Sequence, residues 1–385
     1  VLPETDLSKG TGLDRRTVVV TTTATRLDGD ARLAWDKLVS GIAGSDVTQL
    51  SGWARVRAEV GYRALYLRVH RDGELAGGAQ LLLRRIPLLG EIGYVSYGPL
   101  VAENVPREQV VPALVEALDK LARGRLCALF VQPVHGDDLS AQLLARGFRR
   151  STAGVAPANT VRLDLAQDED ALRAALSKRI RRWTGKWERS GVSVRRGGLD
   201  DVRLLSDLIG RTATHQGFSE LSEDYVRNLY EEFGSTGHAE IFVGEVDGTP
   251  VAAELFTACG GVLRCRLTGL DRSSPAVRLS VTSALDWEAM RWAKASGFAE
   301  FDLGGLSPAG AALVEAEGFS SQSLEGPDRF KVGFGGRLHR YPPAVELISS
   351  PLLRITYDRL RSAGAGRAVV EWVRTFMRQG LRRKR

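Results

Sequence analysis

The sequence predicts a duplicated mixed α/β fold, one unit present twice in tandem, and three observations lead there. Two hairpin signals, Asp72-Gly73 and Asp247-Gly248, each lie between β-rich runs. Each hairpin is followed by more strand, then by a segment with apolar residues at helical spacing, then by a short strand. At 385 residues the chain is long enough for two such units, each with its own core.

The elements follow in order. Residues 1–16, "VLPETDLSKGTGLDRR", are polar, lack the apolar centre of a signal peptide and read as a flexible tail. The first unit spans 17–163. Its hairpin lies in "ALYLRVHRDGELAGGAQLLLRRI", and residues 107–123 show helical spacing through Val111, Leu114, Val115, Leu118 and Leu121. Gly124 ends that helix, and "LCALFVQP" supplies the strand after it. Residues 164–200 form a basic linker with a helix carrying Lys178, Arg179, Arg181, Arg182, Lys186 and Arg189. A run of this kind is either a solvated helix face or an RNA contact. Trp183 and Trp187, four residues apart within it, serve either the core or stacking on bases.

The second unit, 201–345, repeats the design. "AEIFVGEVDGTPVAAELFTACGGVLRCRLTG" holds its hairpin and next strand. A helix over 281–295 runs through Leu285, Ala289, Trp292 and Ala293, and "FAEFDLGG" is the strand beyond Gly297. Residues 346–385 form a basic helical tail ending "RTFMRQGLRRKR", fit either for docking or for contact with an anionic membrane or RNA.

Composition narrows the class. With 43% hydrophobic and 26% charged residues the chain is an ordinary globular protein. Its net charge of +7 favours a polyanionic partner without choosing one. Cys127, Cys259 and Cys265 have no metal-ligand spacing, and the five histidines are scattered, so neither disulfides nor zinc are expected. No apolar run reaches the roughly 18 residues a membrane helix needs. A cytoplasmic location is expected.

The stretch "RFKVGFGGRLHRYP", from Arg329, carries the chemical question. Three glycines in four residues permit positive φ or a close approach to a ligand, and Lys331 places a cation beside them. Taken alone it reads as a hairpin turn with Phe330 and Phe334 in the core. An absence matters here too. Hairpin, sheet, helix and strand in this order form the N-acetyltransferase-like pattern, whose central helix normally opens with a glycine-rich loop for the CoA pyrophosphate. The corresponding segments, "NVPREQVVPALVEAL" and "DRSSPAVRLSVTSALDW", contain no glycine, and no nucleotide-binding phosphate loop occurs elsewhere.

A duplicated acetyltransferase-like unit without that loop, a basic helix between halves, and Asp302-Leu303-Gly304-Gly305 followed by Phe330-Lys331-x-Gly-Phe-Gly-Gly together resemble the Fem family. "VTQLSGWARVR", 47–57, is similar to that family's Q-x-x-x-W signature. The resemblance covers roughly residues 30–360. It implies an aminoacyltransferase moving an amino acid of the glycine, alanine or serine type from aminoacyl-tRNA to an amino group of a peptidoglycan precursor. A monomer working without a cofactor is expected. By this resemblance Phe330 packs against the terminal adenosine or the esterified amino acid, and Lys331 lies beside the ester. Lys178, Arg179, Arg181, Arg182 and Lys186 then meet the tRNA. On the acceptor side, Arg57 matches a residue that grips the precursor's diphosphate, and Tyr225 matches a pocket tyrosine.

The chain departs from the family elsewhere on that side. Leu221 stands where a second arginine is expected, tyrosines are replaced near Cys127 and Leu267, and Gln132 replaces an aspartate. A lipid-linked precursor held differently and a peptide-antibiotic acceptor both fit these departures. A CoA-dependent acyltransferase and a non-catalytic RNA-binding protein are the rival classes. Asp302 is the tempting general base, although a strand-end aspartate also has a structural reading.

Overall fold

Both predicted hairpins form for the reason their turns suggest. In a computed structural model, Asp72 and Gly73 take φ of 53° and 85°, and Asp247 and Gly248 take 49° and 77°. Positive φ at both central residues gives a two-residue turn whose twist matches that of the strands it joins. The structure describes residues 18–23, 27, 29–87, 89–216, 221–319 and 322–362. The expected tail over 1–16 and the basic cluster from Arg374 onward lie outside them.

The chain divides into two compact units, residues 1–156 with 341–385, and residues 157–340. The first part of unit 1 runs β1 (Val18–Thr23), α1 (Gly29–Gly41), α2 (Ser51–Ala58), β2 (Arg63–Arg71), β3 (Glu74–Ile86), β4 (Gly90–Ser96) and β5 (Leu100–Val101). It continues with α3 (Arg107–Gly124), β6 (Ala128–Gln132), α4 (Asp138–Ala145) and β7 (Arg149–Arg150). Unit 2 begins with β8 (Asn159–Asp164), α5 (Glu169–Ala175), α6 (Lys178–Trp183), β9 (Val192–Gly197), α7 (Val202–Gln216) and α8 (Glu223–Gly234). Then come β10 (Ala239–Val246), β11 (Thr249–Cys259), β12 (Val262–Leu270), α9 (Val281–Ala295) and β13 (Glu300–Gly305). α10 (Pro308–Glu317), α11 (Gly326–Val332) and β14 (Arg337–Arg340) close it. The chain then returns to unit 1 as β15 (Val345–Ile348) and α12 (Pro351–Ser362).

Among the described residues the sheet of unit 1 runs β1-β2-β3-β4-β6-β15-β7, with β5 beside β3, and that of unit 2 runs β14-β8-β13-β12-β11-β10-β9. The duplication is visible in the pairing. β2, β3 and β4 are antiparallel neighbours, α3 crosses over, and β6 returns parallel to β4. β10, β11 and β12 repeat this, with α9 crossing to β13, parallel to β12. The apolar stripe of α3, Val111, Leu114, Val115 and Leu118, is buried in one core with Leu65, Leu67, Leu81 and Leu83. Ala284, Leu285, Ala289 and Met290 of α9 share the other with Phe242, Phe256 and Phe301.

The parallel strand pair differs between the two units. β4 and β6 stay paired from Ile92↔Ala128 to Ser96↔Gln132. β12 and β13 pair only from Val262↔Glu300 to Arg264↔Asp302, although both strands continue. A bulge in β12 begins at that point: Phe256 faces Cys265 while Leu255 faces Leu267. The extra residue bends the strand away, and the sheet of unit 2 opens there.

The expected basic helix is shorter than the charge run. α6 ends at Trp183, with Thr184 as its C-cap, so Lys186 lies in the following turn rather than on the helix. Trp187 is buried in the unit 2 core and Trp183 packs against it. The tryptophans therefore hold the segment down, and its cations face outward. Among the described residues no helix is long and apolar enough to cross a membrane.

Candidate active site in unit 2

Phe330 and Lys331 lie on α11, so the run reads differently from the hairpin that Gly333–Gly336 suggests in isolation. It is a helix end followed by a turn into β14. The glycines answer to packing. Gly335 and Gly336 have φ of 80° and 83°, and a Cβ on Gly335 would lie 2.8 Å from the Ala175 carbonyl oxygen. A Cβ on Gly336 would collide with the carbonyl of Arg162. Positive φ and backbone contact each exclude a side chain here.

This turn sets Lys331. Its Nζ donates to the carbonyl oxygen of Gly305, at the end of β13. Gly304, at φ 82°, lies between: a Cβ there would be 3.1 Å from the Cys265 carbonyl oxygen and 3.9 Å from Lys331 Nζ. The ammonium thus sits where β12 and β13 part. Phe330, half-buried, meets the fully buried Phe334 edge to face at 5.4 Å.

The basic segment packs against the same turn. Ser177 N donates to Gly333 O at 2.7 Å, and a Cβ on Gly333 would lie 3.1 Å from Ile180 Cδ1. α6 is therefore docked beside α11, with Lys178, Arg179, Arg181 and Arg182 exposed, and Lys186 exposed just beyond. The structure brings the five cations and the Phe330-Lys331 pair into one region of unit 2.

Two residues not singled out in the sequence complete it. Glu254 on β11 and Asp286 on α9 are each 1% exposed, and their carboxylate oxygens and the Cys265 Sγ all lie within 4.8 Å of one another. Burial, then the charge of Asp286, pushes Glu254 well above the usual carboxylate range, opposed by the Thr268 hydroxyl and Lys331. Burial pushes Asp286 up to about 7, against a hydrogen bond with Glu254 and the charge of Lys331. Burial and both carboxyls also raise the Cys265 thiol, which keeps it a neutral thiol rather than a nucleophile. The available signal was a single acid inside an apolar strand, "VAAELFTAC", and an acid set between Leu285 and Trp287 in the helix stretch "SALDWEAM".

Asp302 has a structural role. It is fully buried and accepts from Arg264 Nε at 3.0 Å, Arg162 Nε at 3.3 Å, Gly304 N at 2.9 Å and the Thr160 hydroxyl. Burial opposes its ionisation, but Arg264 and Arg162, with the two hydrogen bonds, outweigh that and hold it below the usual range.

The remaining candidates stand on other elements. In unit 1, Arg57 is buried on α2 with Cζ 4.8 Å from the centre of the Tyr62 ring, and Arg84 approaches the same ring at 5.2 Å. Two guanidiniums thus converge on one tyrosine, and Arg84 was not foreseen. Gln49, of the Q-x-x-x-W stretch, is fully buried and bonds Ser96 O at 2.8 Å and Gln80 N at 2.8 Å, which makes it scaffolding. Gln132 likewise donates to Pro342 O at 2.8 Å. In unit 2, Tyr225 is half-buried on α8, whose N-cap Ser222 accepts from its amide.

Comparison with known proteins places this arrangement. A family described as acetyltransferase (GNAT) domain matches residues 144–331. The lipid II:glycine glycyltransferase of Staphylococcus aureus (strain MRSA252) is 26% identical over 225 residues, 55% of this chain and 53% of that protein. The chain thus spans about half the length of the curated relatives it matches. A crystal structure of FemX superposes with a TM-score of 0.72 at 18% identity, covering 85% of this chain and 98% of that one. A tandem GNAT protein from the clavulanic acid biosynthesis pathway gives 0.52 at 15% identity, covering 87% and 99%. With two acetyltransferase-like units in tandem and the DLGG and FKVGFGG segments joined through Lys331, the chain is similar in sequence to the staphylococcal glycyltransferases and shares the fold of FemX.

Proposed function

We propose that the chain transfers a small amino acid, of the glycine, alanine or serine type, from aminoacyl-tRNA to an amino group of a lipid-linked peptidoglycan precursor, building an interpeptide bridge. The observation that carries this reading is the seat of Lys331, fixed by Gly305 where the sheet of unit 2 opens and flanked by the exposed cations of α6. The name of the staphylococcal relatives supports glycine as cargo and lipid II as acceptor.

The chemistry suits these groups. An aminoacyl ester is already activated, so an amine attacks its carbonyl carbon without ATP, and the C–O bond to the ribose breaks. Holding the reactants together lowers the barrier, and the Lys331 ammonium stabilises the oxyanion of the tetrahedral intermediate. Phe330 offers an aromatic surface to the adenosine or the amino acid. Lys178, Arg179, Arg181, Arg182 and Lys186 meet the phosphates of the acceptor stem. In unit 1, Arg57 and Arg84 supply two guanidiniums for a precursor diphosphate.

The test is direct. Glycine-charged tRNA carrying a labelled amino acid is incubated with the purified chain and lipid II, and the label is followed into the precursor. Transfer of label to the peptide amine is expected. Tight stoichiometric binding of CoA by calorimetry, with no such transfer, overturns the reading.

A further inference from the structure

Glu254 and Asp286 approach one spot from different elements, β11 and α9, and neither reaches solvent. Glu254 Oε2 and Asp286 Oδ1 are both buried without a hydrogen-bond donor. Two ionised carboxylates in contact can only accept and repel one another, and burying them that way is costly. One proton between them turns the contact into a hydrogen bond and gives an orphaned oxygen its donor. The groups facing the pair are Cys265 and Thr268 from β12 and Lys331 from α11. Lys331, bonded to Gly305 beside the Cys265 main chain, is close enough for its charge to act on both carboxyls.

We infer that Glu254 and Asp286 share a proton and act as the sink that receives, through Lys331, the proton an acceptor amine must shed before it attacks. This rests on the transfer reading above. The acceptor ammonium gives a proton to the Lys331 nitrogen as Lys331 passes one of its own to the pair. The pair goes from one proton and charge −1 to two protons and neutrality, and Lys331 remains an ammonium. The freed amine bonds to the ester carbonyl carbon, and the departing ribose oxygen takes a second proton from the attacking nitrogen. The pair's extra proton returns to water by the same route. Burial raises both carboxyls, Asp286 to about 7, and a proton acceptor works best near the operating pH. Glu254 and Asp286 act through Lys331 and do not touch substrate, so they are proton-holding and positioning groups.

The experiment has two readouts on the full chain. Infrared titration of the carboxyl stretch reports the shared proton without any substrate. The pH dependence of kcat, with charged tRNA and lipid II, reports its use. A protonated buried carboxyl is expected to persist to near-neutral pH in the unmodified chain and to be altered in Glu254→Gln and in Asp286→Asn. Each variant is expected to lose about a hundredfold in kcat and to lose the acid limb of the profile. The double variant is expected to be no worse than either single one. Fully ionised carboxyls at neutral pH overturn the proposal. So does a kcat lowered equally at every pH, or a zinc ion that the native chain retains and the variants lose. If the native chain transfers nothing, the transfer reading falls with the relay, while the infrared band still judges the shared proton. If the variants fail to fold, the band of the unmodified chain decides.

Discussion

Lys331 is tied to the main-chain carbonyl of Gly305, 26 residues away, so the position of its ammonium is set by backbone as well as by its own flexible side chain. That carbonyl ends β13 next to Gly304, whose positive φ turns the strand under Cys265. A cation fixed in advance at a half-buried site needs little rearrangement when negative charge develops beside it, which is the condition for strong electrostatic catalysis.

Replacing Lys331 by Met keeps most of the volume and removes the charge. Folding is expected to hold, and kcat to fall by about a hundred- to a thousandfold, on the order of 2.7–4 kcal/mol. Phe330→Ala acts differently, raising KM for charged tRNA through lost stacking while the buried Phe334 keeps the turn in place. Steady-state kinetics at limiting and saturating tRNA separates the two. Full activity in both variants removes this helix from the site.

The exposed cations of α6 predict a salt-dependent affinity. Each phosphate contact contributes about 0.7–0.9 to the slope of log affinity against log salt. Changing Arg179, Arg181 and Arg182 together to Ala is expected to lower the slope by about two to three, with stability nearly unchanged because all three side chains are exposed. A filter-binding series across salt concentrations measures it. An unaltered slope leaves α6 as a solvated face.

The duplicated hairpins were legible because Asp-Gly turns and strand alternation are local signals, and both turned out as read. The bond between Lys331 and the DLGG segment was not legible locally: the neighbourhood of Lys331 suggested a hairpin, and Gly305 lies 26 residues away in sequence. The Glu254–Asp286 pair was not legible. Glu254 is the one acid of its strand, Asp286 shares its helix with Glu288, and nothing in "VAAELFTAC" says that an acid from a helix over thirty residues later will face it. Asp302 shows the converse. The motif drew attention to it, yet its partners Arg162 and Arg264 come from β8 and β12, and only strand order reveals that they neutralise it.

Asp302→Asn is accordingly expected to act on stability. It leaves Arg264 and Arg162 buried with a neutral neighbour, although Arg162 keeps Glu300 at 2.8 Å. A loss of about 3 kcal/mol is expected, the low end for breaking a buried ion pair. Urea unfolding measures it. Unchanged stability with abolished transfer would instead make Asp302 a chemical group.

The buried acid pair also predicts how stability changes with pH. In the unfolded chain both carboxyls titrate near 4, their ordinary value. In the fold both are raised, Asp286 to about 7 and Glu254 well above its usual range, chiefly by burial. The folded state therefore holds protons that the unfolded chain has released. Their contribution to stability is fully present below the unfolded value and is lost as pH rises through the folded ones. For one such group the loss runs at up to about 1.4 kcal/mol per pH unit. Asp286→Asn removes a titrating partner and keeps its shape, so its stability relative to the native chain should improve steadily from mildly acidic to mildly alkaline pH. Urea midpoints of the two proteins, taken across that range, give the difference directly. A difference that stays level, or moves in favour of the native chain as pH rises, would show that these carboxyls ionise freely in the fold.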